Sequence, residues 1–220
     1  MQLSKFKGIA VTLLLAVLAT GCATQQKPYD YAAFKESKPR TILVLPPLNN
    51  SPDVAATYGM LSQVTYPLAE SGYYVLPVTL VDETFKQNGL TTPADIHNVA
   101  PAKLREIFGA DAGLYVDVQK YGSSYIVVNS VTMVTAEAKL LDLRTGKVLW
   151  EGSATASSNE GQNNSNGLVG ILVSAIVNQI IATSTDASYN MAGLASARLL
   201  MAGHKNGILY GPRSPKYQSD

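Results

Sequence analysis

Residues 41–53 read TILVLPPLNNSPD, and residues 73–78 read YYVLPV. Thr41–Leu45 is a short, nearly all-apolar, β-branched run, the composition of a strand covered on both faces. Pro46 and Pro47 end it, because neither can donate to a ladder. Between the two runs, VAATYGMLSQVTYPLAE (54–70) reads as a helix. Asp53 is placed to cap it, Pro67 to kink or break it near its end, and Gly72 to stop it. A strand, a helix and a strand in this order pair their strands in parallel through a right-handed crossover. The Pro and Asn loop lies at the C-terminal end of the first strand, where α/β proteins bind ligands. Asn49, Asn50 and Asp53 are therefore the candidate ligand or partner loop. No glycine-rich phosphate loop accompanies them, so no nucleotide is assigned.

Working outward, residues 80–89 read as a short helix ending at Asn88-Gly89, and Thr92-Pro93 opens another turn or helix. PAKLREIF (101–108) is a helix with Pro at its start, Leu104 and Phe108 four apart, and Gly109 as its stop. In 113–122 the chain alternates: Leu114, Val116 and Val118 face a core, while Tyr115, Asp117 and Gln119 face away. Two long strands follow, 125–142 and 147–157. LRTG joins them, with Gly146 free to take positive φ. Trp150 shares a face with Val148 and Ala154; core packing and a ligand platform are the two readings of it. After a polar loop, NEGQNNSNG (159–167), comes LVGILVSAIVNQIIAT (168–183), apolar almost all round. As a helix it would be about 24 Å long, short of the ~30 Å hydrocarbon core. Gly170, Ser174 and Asn178 fall four apart and make one small or polar stripe, a candidate self-association face. A buried core helix and a membrane-facing helix are the other readings. Residues 186–202 form a last helix with Asp186 as cap and Gly203 as stop, and 206–220 is an irregular tail. The expected fold class is α/β: a mixed sheet of about five strands with a parallel strand–helix–strand start, a long antiparallel hairpin, and packed helices including two near the C-terminus.

Upstream of residue 41 the sequence has a different purpose. Lys5 and Lys7 precede an apolar run, Gly8 to Leu18, and then the small residues Ala19, Thr20 and Gly21. That is a secretory signal, and the run is too short for a span of roughly 20 residues. ATGC at 19–22 resembles the bacterial lipobox, although Ala19 stands where leucine is usual. The resemblance implies cleavage before Cys22 and acylation of Cys22. Ala23 after the cysteine, where aspartate is absent, implies export to the outer membrane. ATQQKPYDYAAFKESKPR (23–40) reads as a tether, at full extension on the order of 60 Å long. Tyr29, Tyr31 and Phe34 are unusual in a spacer, and dock either on the domain or on a partner. The domain boundaries are therefore 1–21 signal peptide, 22–40 lipidated N-terminus and flexible tether, 41–205 a single α/β domain, and 206–220 tail.

Composition narrows the function. Without its leader the chain would hold about 199 residues, enough for one domain, and its net charge falls from +1 to about −1 as Lys5 and Lys7 leave. There is no basic excess, so no nucleic acid partner is expected. Cys22 is the sole cysteine, which suits an oxidising compartment where a stray thiol mispairs. His97 and His204 stand far apart, so no metal site and no cofactor are expected. GSSY (122–125) is not a nucleophile elbow. Asp82 and Glu83 diverge on a helix, and Asp117 has no identifiable partner. No catalytic residue is assigned.

The lipobox, RTILVLPPLNNSPDV, YPLAESGYYVLPV, IFGADAGLYVDV and LLDLRTGKVLWEG together resemble an uncharacterised family of Gram-negative outer-membrane lipoproteins that includes a neisserial vaccine antigen. More distantly, the start and the GAD strand are similar to periplasmic domains of curli-secretion channel lipoproteins, to lipoprotein activators of penicillin-binding proteins, and to the N-terminal domain of the Tol propeller protein. These likenesses imply an α/β sheet with packed helices, and binding to envelope proteins in place of catalysis. The expected function is a lipid-anchored accessory or assembly factor of an envelope or secretion complex, its domain in the periplasm or at the cell surface. Homodimerisation through 168–183 is a further expectation. The alternative is a periplasmic small-ligand binder or enzyme with its site at the 46–53 loop.

Overall fold

The computed structural model describes residues 29–126, 129–160 and 186–219. The central sheet is built from β1 (Thr41–Val44), β2 (Leu48–Asn49), β3 (Tyr74–Val75), β4 (Ala112–Ile126), β5 (Asn129–Asp142) and β6 (Val148–Ser157). Its order is β3-β1-β4-β5-β6, with β2 also on β4. β1 pairs in parallel with β3 through Thr41↔Tyr74 and Ile42↔Val75, as the sequence predicts. The same strand pairs in parallel with β4, Val44 facing Leu114. β1 ends at Val44, just ahead of the two prolines. After they loop out, Leu48 and Asn49 resume pairing on β4 opposite Asp117 and Val118. β4, β5 and β6 form an antiparallel meander. Six strands make the mixed sheet, five on its main path and β2 beside it, in line with the expected mixed sheet of about five.

Alternation along β1 splits the core in two. Ile42 and Val44 point to one face, with Leu114, Val116, Val118, Leu140 and Trp150. Leu43 and Leu45 point to the other, with Val81, Phe85, Ile96, Leu104 and Leu143. The first face is covered by α1 (Ala32–Ser37), α2 (Ala56–Gln63), α3 (Thr65–Glu70) and α7 (Ala187–Leu200). The second is covered, over β1 and the start of β4, by α4 (Val78–Gln87), α5 (Pro93–His97) and α6 (Pro101–Phe108). Over β5 and β6 that second face is exposed and polar, with Glu137, Lys139, Glu151 and Thr155 on it.

The helix breaks follow local chemistry. The 54–70 helix is two pieces that meet at Val64. Pro67 cannot bond the carbonyl four residues back and its ring crowds that carbonyl, so the break falls ahead of the proline. Thr92 caps α5 by accepting from the Asp95 N–H, and Gly109 ends α6 at φ 68°. Asp186 caps α7 through the Tyr189 N–H, as expected. Asp53 does not cap α2 as expected; its Oδ1 accepts from the Ala55 N–H at 2.9 Å, within the preceding turn.

Two β-bulges correct the simple alternation. One lies between Val118 and Lys120 and turns Tyr121 into the core. The other lies between Leu140 and Leu141, opposite Leu149. A bulge sets two residues against one and shifts the facing of the residues beyond it. Leu149 and Trp150 are both buried as a result, and Val148 is 43% exposed instead of sharing the Trp150 face. Trp150 is a core residue, 1% exposed, and its indole N–H donates to Asn206 O at 3.0 Å.

Candidate functional site

The predicted 46–53 loop is closed upon itself. The Asn49 side-chain N–H donates to Asp53 O at 2.8 Å, and its Oδ1 accepts from the Ser51 N–H at 2.8 Å and the Ser51 hydroxyl at 2.7 Å. The Asn50 N–H bonds Val118 O at 2.9 Å, prolonging the β2–β4 ladder. Asn49, Asn50 and Asp53 are thus brought into one turn, in which the Asn49 carboxamide is engaged on both atoms and Asp53 Oδ1 accepts from the Ala55 N–H. Asp53 borders an open groove of about 610 Å³ shared with Lys120, Tyr121, Gly122 and Met133. Among the described residues it is the one carboxylate on that lining.

Other ionisable residues are positioned for structure. The His97 Nε2 donates to Pro46 O at 3.0 Å, and the ring stands edge-on to Tyr115 at 5.2 Å. Burial pushes the His97 pKa down, against the smaller opposing pull of the Pro46 carbonyl and Asp117. Asp117 faces Glu137 across the β4–β5 ladder. Its Oδ1 is buried and, among the described residues, without a hydrogen-bond partner. A His whose Nε2 is held by a carbonyl is poorly placed to act as a general base. Asp82 and Glu83 diverge, Asp82 to Lys86 at 2.6 Å and Glu83 to Gln87 at 3.0 Å. GSSY lies inside β4, with Ser123 bonded to the Thr132 hydroxyl at 2.7 Å. Among the described residues no group of three His, Cys, Asp or Glu side chains is placed to hold a metal ion.

The most elaborate constellation joins the two ends of the described chain. Residues 29–40 are not a free spacer. Phe34, on α1, is 4% exposed in the main core, and Tyr29 and Tyr31 pack against it. The Tyr29 N–H donates to Asn206 Oδ1 at 3.2 Å, and the Tyr31 hydroxyl donates to Gly207 O. The same Asn206 takes the Trp150 indole on its backbone oxygen. Downstream, Ile208 and Leu209 are buried, the Tyr73 hydroxyl donates to Leu209 O at 2.6 Å, and the Gly211 N–H donates to Ser71 O at 2.8 Å. The segment after α7 holds no regular element, yet it is fastened along its length. The Tyr31-x-x-Phe34 spacing, one helical turn apart, is the sequence signal for this strap.

Two buried or half-buried carboxylates fasten the strap at its far end. Asp142, 2% exposed, accepts from the Ser37 hydroxyl at 2.5 Å and from Arg144 at 2.9 Å. Asp111 accepts from the N–H groups of Arg40 and Thr41, from the Thr41 hydroxyl, and from Arg105. Burial alone would raise both carboxyls. The donated hydrogen bonds outweigh it and hold both below the usual carboxylate range, Asp142 well below. Between the native and unfolded pKa values the unfolded chain binds more protons. The stability these groups contribute is therefore present above about pH 4 and is lost as the pH falls through the native values. Asp142→Ala is expected to cost about 2 kcal/mol at pH 7 and to flatten the decline in melting temperature on acidification; an unchanged acid limb would refute the assignment.

Cys22, and the Gly170–Ser174–Asn178 stripe with its helix 168–183, lie outside the described residues. Among the described residues no helix is long and apolar enough to cross a membrane. A layered α/β domain whose terminal strap begins just downstream of a lipobox is, by class, the globular part of a lipoprotein. The chain belongs to the family described as "Putative lipoprotein GNA1162-like", which it matches over residues 29–213. It is similar to "Putative lipoprotein NMB1124/NMB1162" of Neisseria meningitidis serogroup B (strain ATCC BAA-335 / MC58), 57% identical over 203 residues that cover 91% of this chain and 94% of that protein. It is similar also to the crystal structure of lipoprotein GNA1162 from Neisseria meningitidis. That match is 60% identical with a TM-score of 0.54, covering 66% of this chain and 100% of that one. A third similarity is to the C-terminal domain of LpoB from Salmonella enterica, 19% identical, TM-score 0.40, covering 53% and 81%. The family is the one that the lipobox and the quoted motifs resemble.

Proposed function

We propose that the protein is a lipid-anchored outer-membrane lipoprotein acting as a non-catalytic accessory or assembly factor of a cell-envelope complex, a secretion apparatus being the first to examine. The docked strap is the observation that carries this reading. With residues 29–40 fastened to the domain, a lipid group on Cys22 is joined to the folded part by six residues, 23–28. Their full reach is about 20 Å, a third of what a spacer running to residue 40 would allow. A domain on so short a lead works on partners at the membrane and does not reach across the periplasm. The alternative, a small-ligand site at the 46–53 loop, draws little support from an Asn49 carboxamide already bonded on both atoms. The stripe Gly170, Ser174 and Asn178 remains a self-association proposal; a sedimentation mass of one chain in dilute solution would end it.

Cys22→Ser is expected to abolish acyl-chain labelling and to release the protein from the outer-membrane fraction. A mutant that still labels and still fractionates with the outer membrane would rule out the anchor. Crosslinking and pull-down from intact envelopes, comparing wild type with the mutant, then tests the accessory role. Recovery of the same partners without the anchor would argue against a membrane-bound place of work.

A further inference from the structure

Lys38 and Arg40 flank Pro39 immediately before β1, whose first residue pairs with the first residue of β3. The C-terminal segment crosses the same end of the sheet, the Arg213 N–H donating to Gly72 O at 3.0 Å. Lys38, Arg40, Arg213 and Lys216, remote in sequence, are thus gathered at one end of the domain, and all four are exposed. Among the described residues none of them has a carboxylate within salt-bridge distance. Arg213 lies over the Tyr74 ring at 5.0 Å, and Lys216 over the Tyr210 ring at 5.5 Å.

The acids of this end are mostly compensated. Asp111, which with Arg40 and Arg213 lines a cavity of about 400 Å³, takes its bonds from Arg105, Thr41 and backbone. Asp142 is paired with Arg144 at 2.9 Å and Glu36 with Lys147 at 3.5 Å. Glu70 stands exposed, with no cation paired to it among the described residues. At the opposite end of the strands, Asp53 and Asp186 flank Tyr121 and push its pKa up, after burial, to about 12. Without its leader the chain is close to neutral, so the four cations are a segregation of charge and not a general surplus.

From this arrangement we propose that the Lys38–Arg40–Arg213–Lys216 end is a docking surface for the anionic phospholipid headgroups of the leaflet that holds the anchor. The inference rests on the lipid-anchored reading, since an anchor on Cys22 would keep the domain close to the bilayer. Long cationic side chains beside tyrosine rings suit a headgroup layer, where the charge stays wet and the aromatic body lies against apolar matter. Each basic residue close to an anionic bilayer strengthens binding by about fivefold. The effect falls off within a Debye length and is weakened by salt. The anchor holds the protein to the membrane; this surface sets which way the domain faces.

The test uses the chain from residue 23 onward, which carries the whole domain and no acyl group. Co-sedimentation with vesicles containing phosphatidylglycerol should exceed that with pure phosphatidylcholine, and should fall as salt rises. The double variant Arg40→Glu with Arg213→Glu should bind at least about tenfold more weakly, while Lys120→Glu, at the far end, should bind as wild type. If the double variant melts early, Arg40→Gln with Arg213→Gln is measured in its place. Equal binding to both vesicle types, or undiminished binding by the folded double variant, overturns the proposal. Acyl labelling at Cys22 together with no vesicle preference would sink this surface alone. Vesicle preference without labelling would sink the anchor alone.

Discussion

Trp150→Ala should lower folding stability by about 3–5 kcal/mol, the range for emptying a large aromatic site in a core. The indole is 1% exposed and lies across Gly152, where a Cβ would collide with its Cζ2. Its N–H also holds Asn206 O, and the Asn206 side chain receives Tyr29. The substitution therefore loosens the strap as well as the core. Trp150→Phe keeps most of the packing and loses the hydrogen bond, and about 1–2 kcal/mol is expected. Urea unfolding followed by far-ultraviolet circular dichroism measures both, since the sole tryptophan is removed. A loss below about 1 kcal/mol for Trp150→Ala would show that the strap and core do not depend on the indole.

Gly72→Ala should cost about 2–5 kcal/mol. Gly72 has φ 97°, and an added Cβ would collide with Ser214 N and meet Gly211 O at 2.8 Å. Left-handed strain at a non-glycine residue contributes about 1–3 kcal/mol, and overpacking a further ~1–3 kcal/mol. Both obstacles are backbone atoms, so no rotamer change relieves the contact. Gly89 supplies the control: its φ is 82° but nothing lies within 4 Å of a Cβ there, so Gly89→Ala should lose only about 1 kcal/mol. The difference between the two midpoints of denaturation isolates the close approach of the C-terminal segment. Equal midpoints would mean that this segment is not held against Gly72.

The elements that could be read from sequence are those whose signals are local. PAKLREIF announces its own helix with Pro101 and Gly109, and the run 41–45 announces a strand buried on both sides. Signals that depend on a partner strand were not legible. The two bulges shift Tyr121 inward and Val148 outward, and nothing in either strand alone marks the extra residue. Nothing in the sequence singles out Asp111 and Asp142, because the groups that bind them, Thr41 and Ser37, lie 70 and 105 residues away. The same distance effect hid the basic end, whose cations come from the residues around 38–40 and 213–216. The 46–53 loop was legible as a loop, but its composition could not tell that Asn49 turns back on Ser51 and Asp53.

The stitch between Tyr29 and Asn206 spans 177 positions, and that between Tyr31 and Gly207 spans 176. Nothing emerging before them can substitute for residues 206 and 207, so the nascent polypeptide cannot complete this domain while it is still being made or threaded through a translocon. Closing so long a loop is slow relative to local structure. On the lipid-anchored reading proposed above, a precursor exported while it is being made would reach the far side of the membrane before this stitch could close.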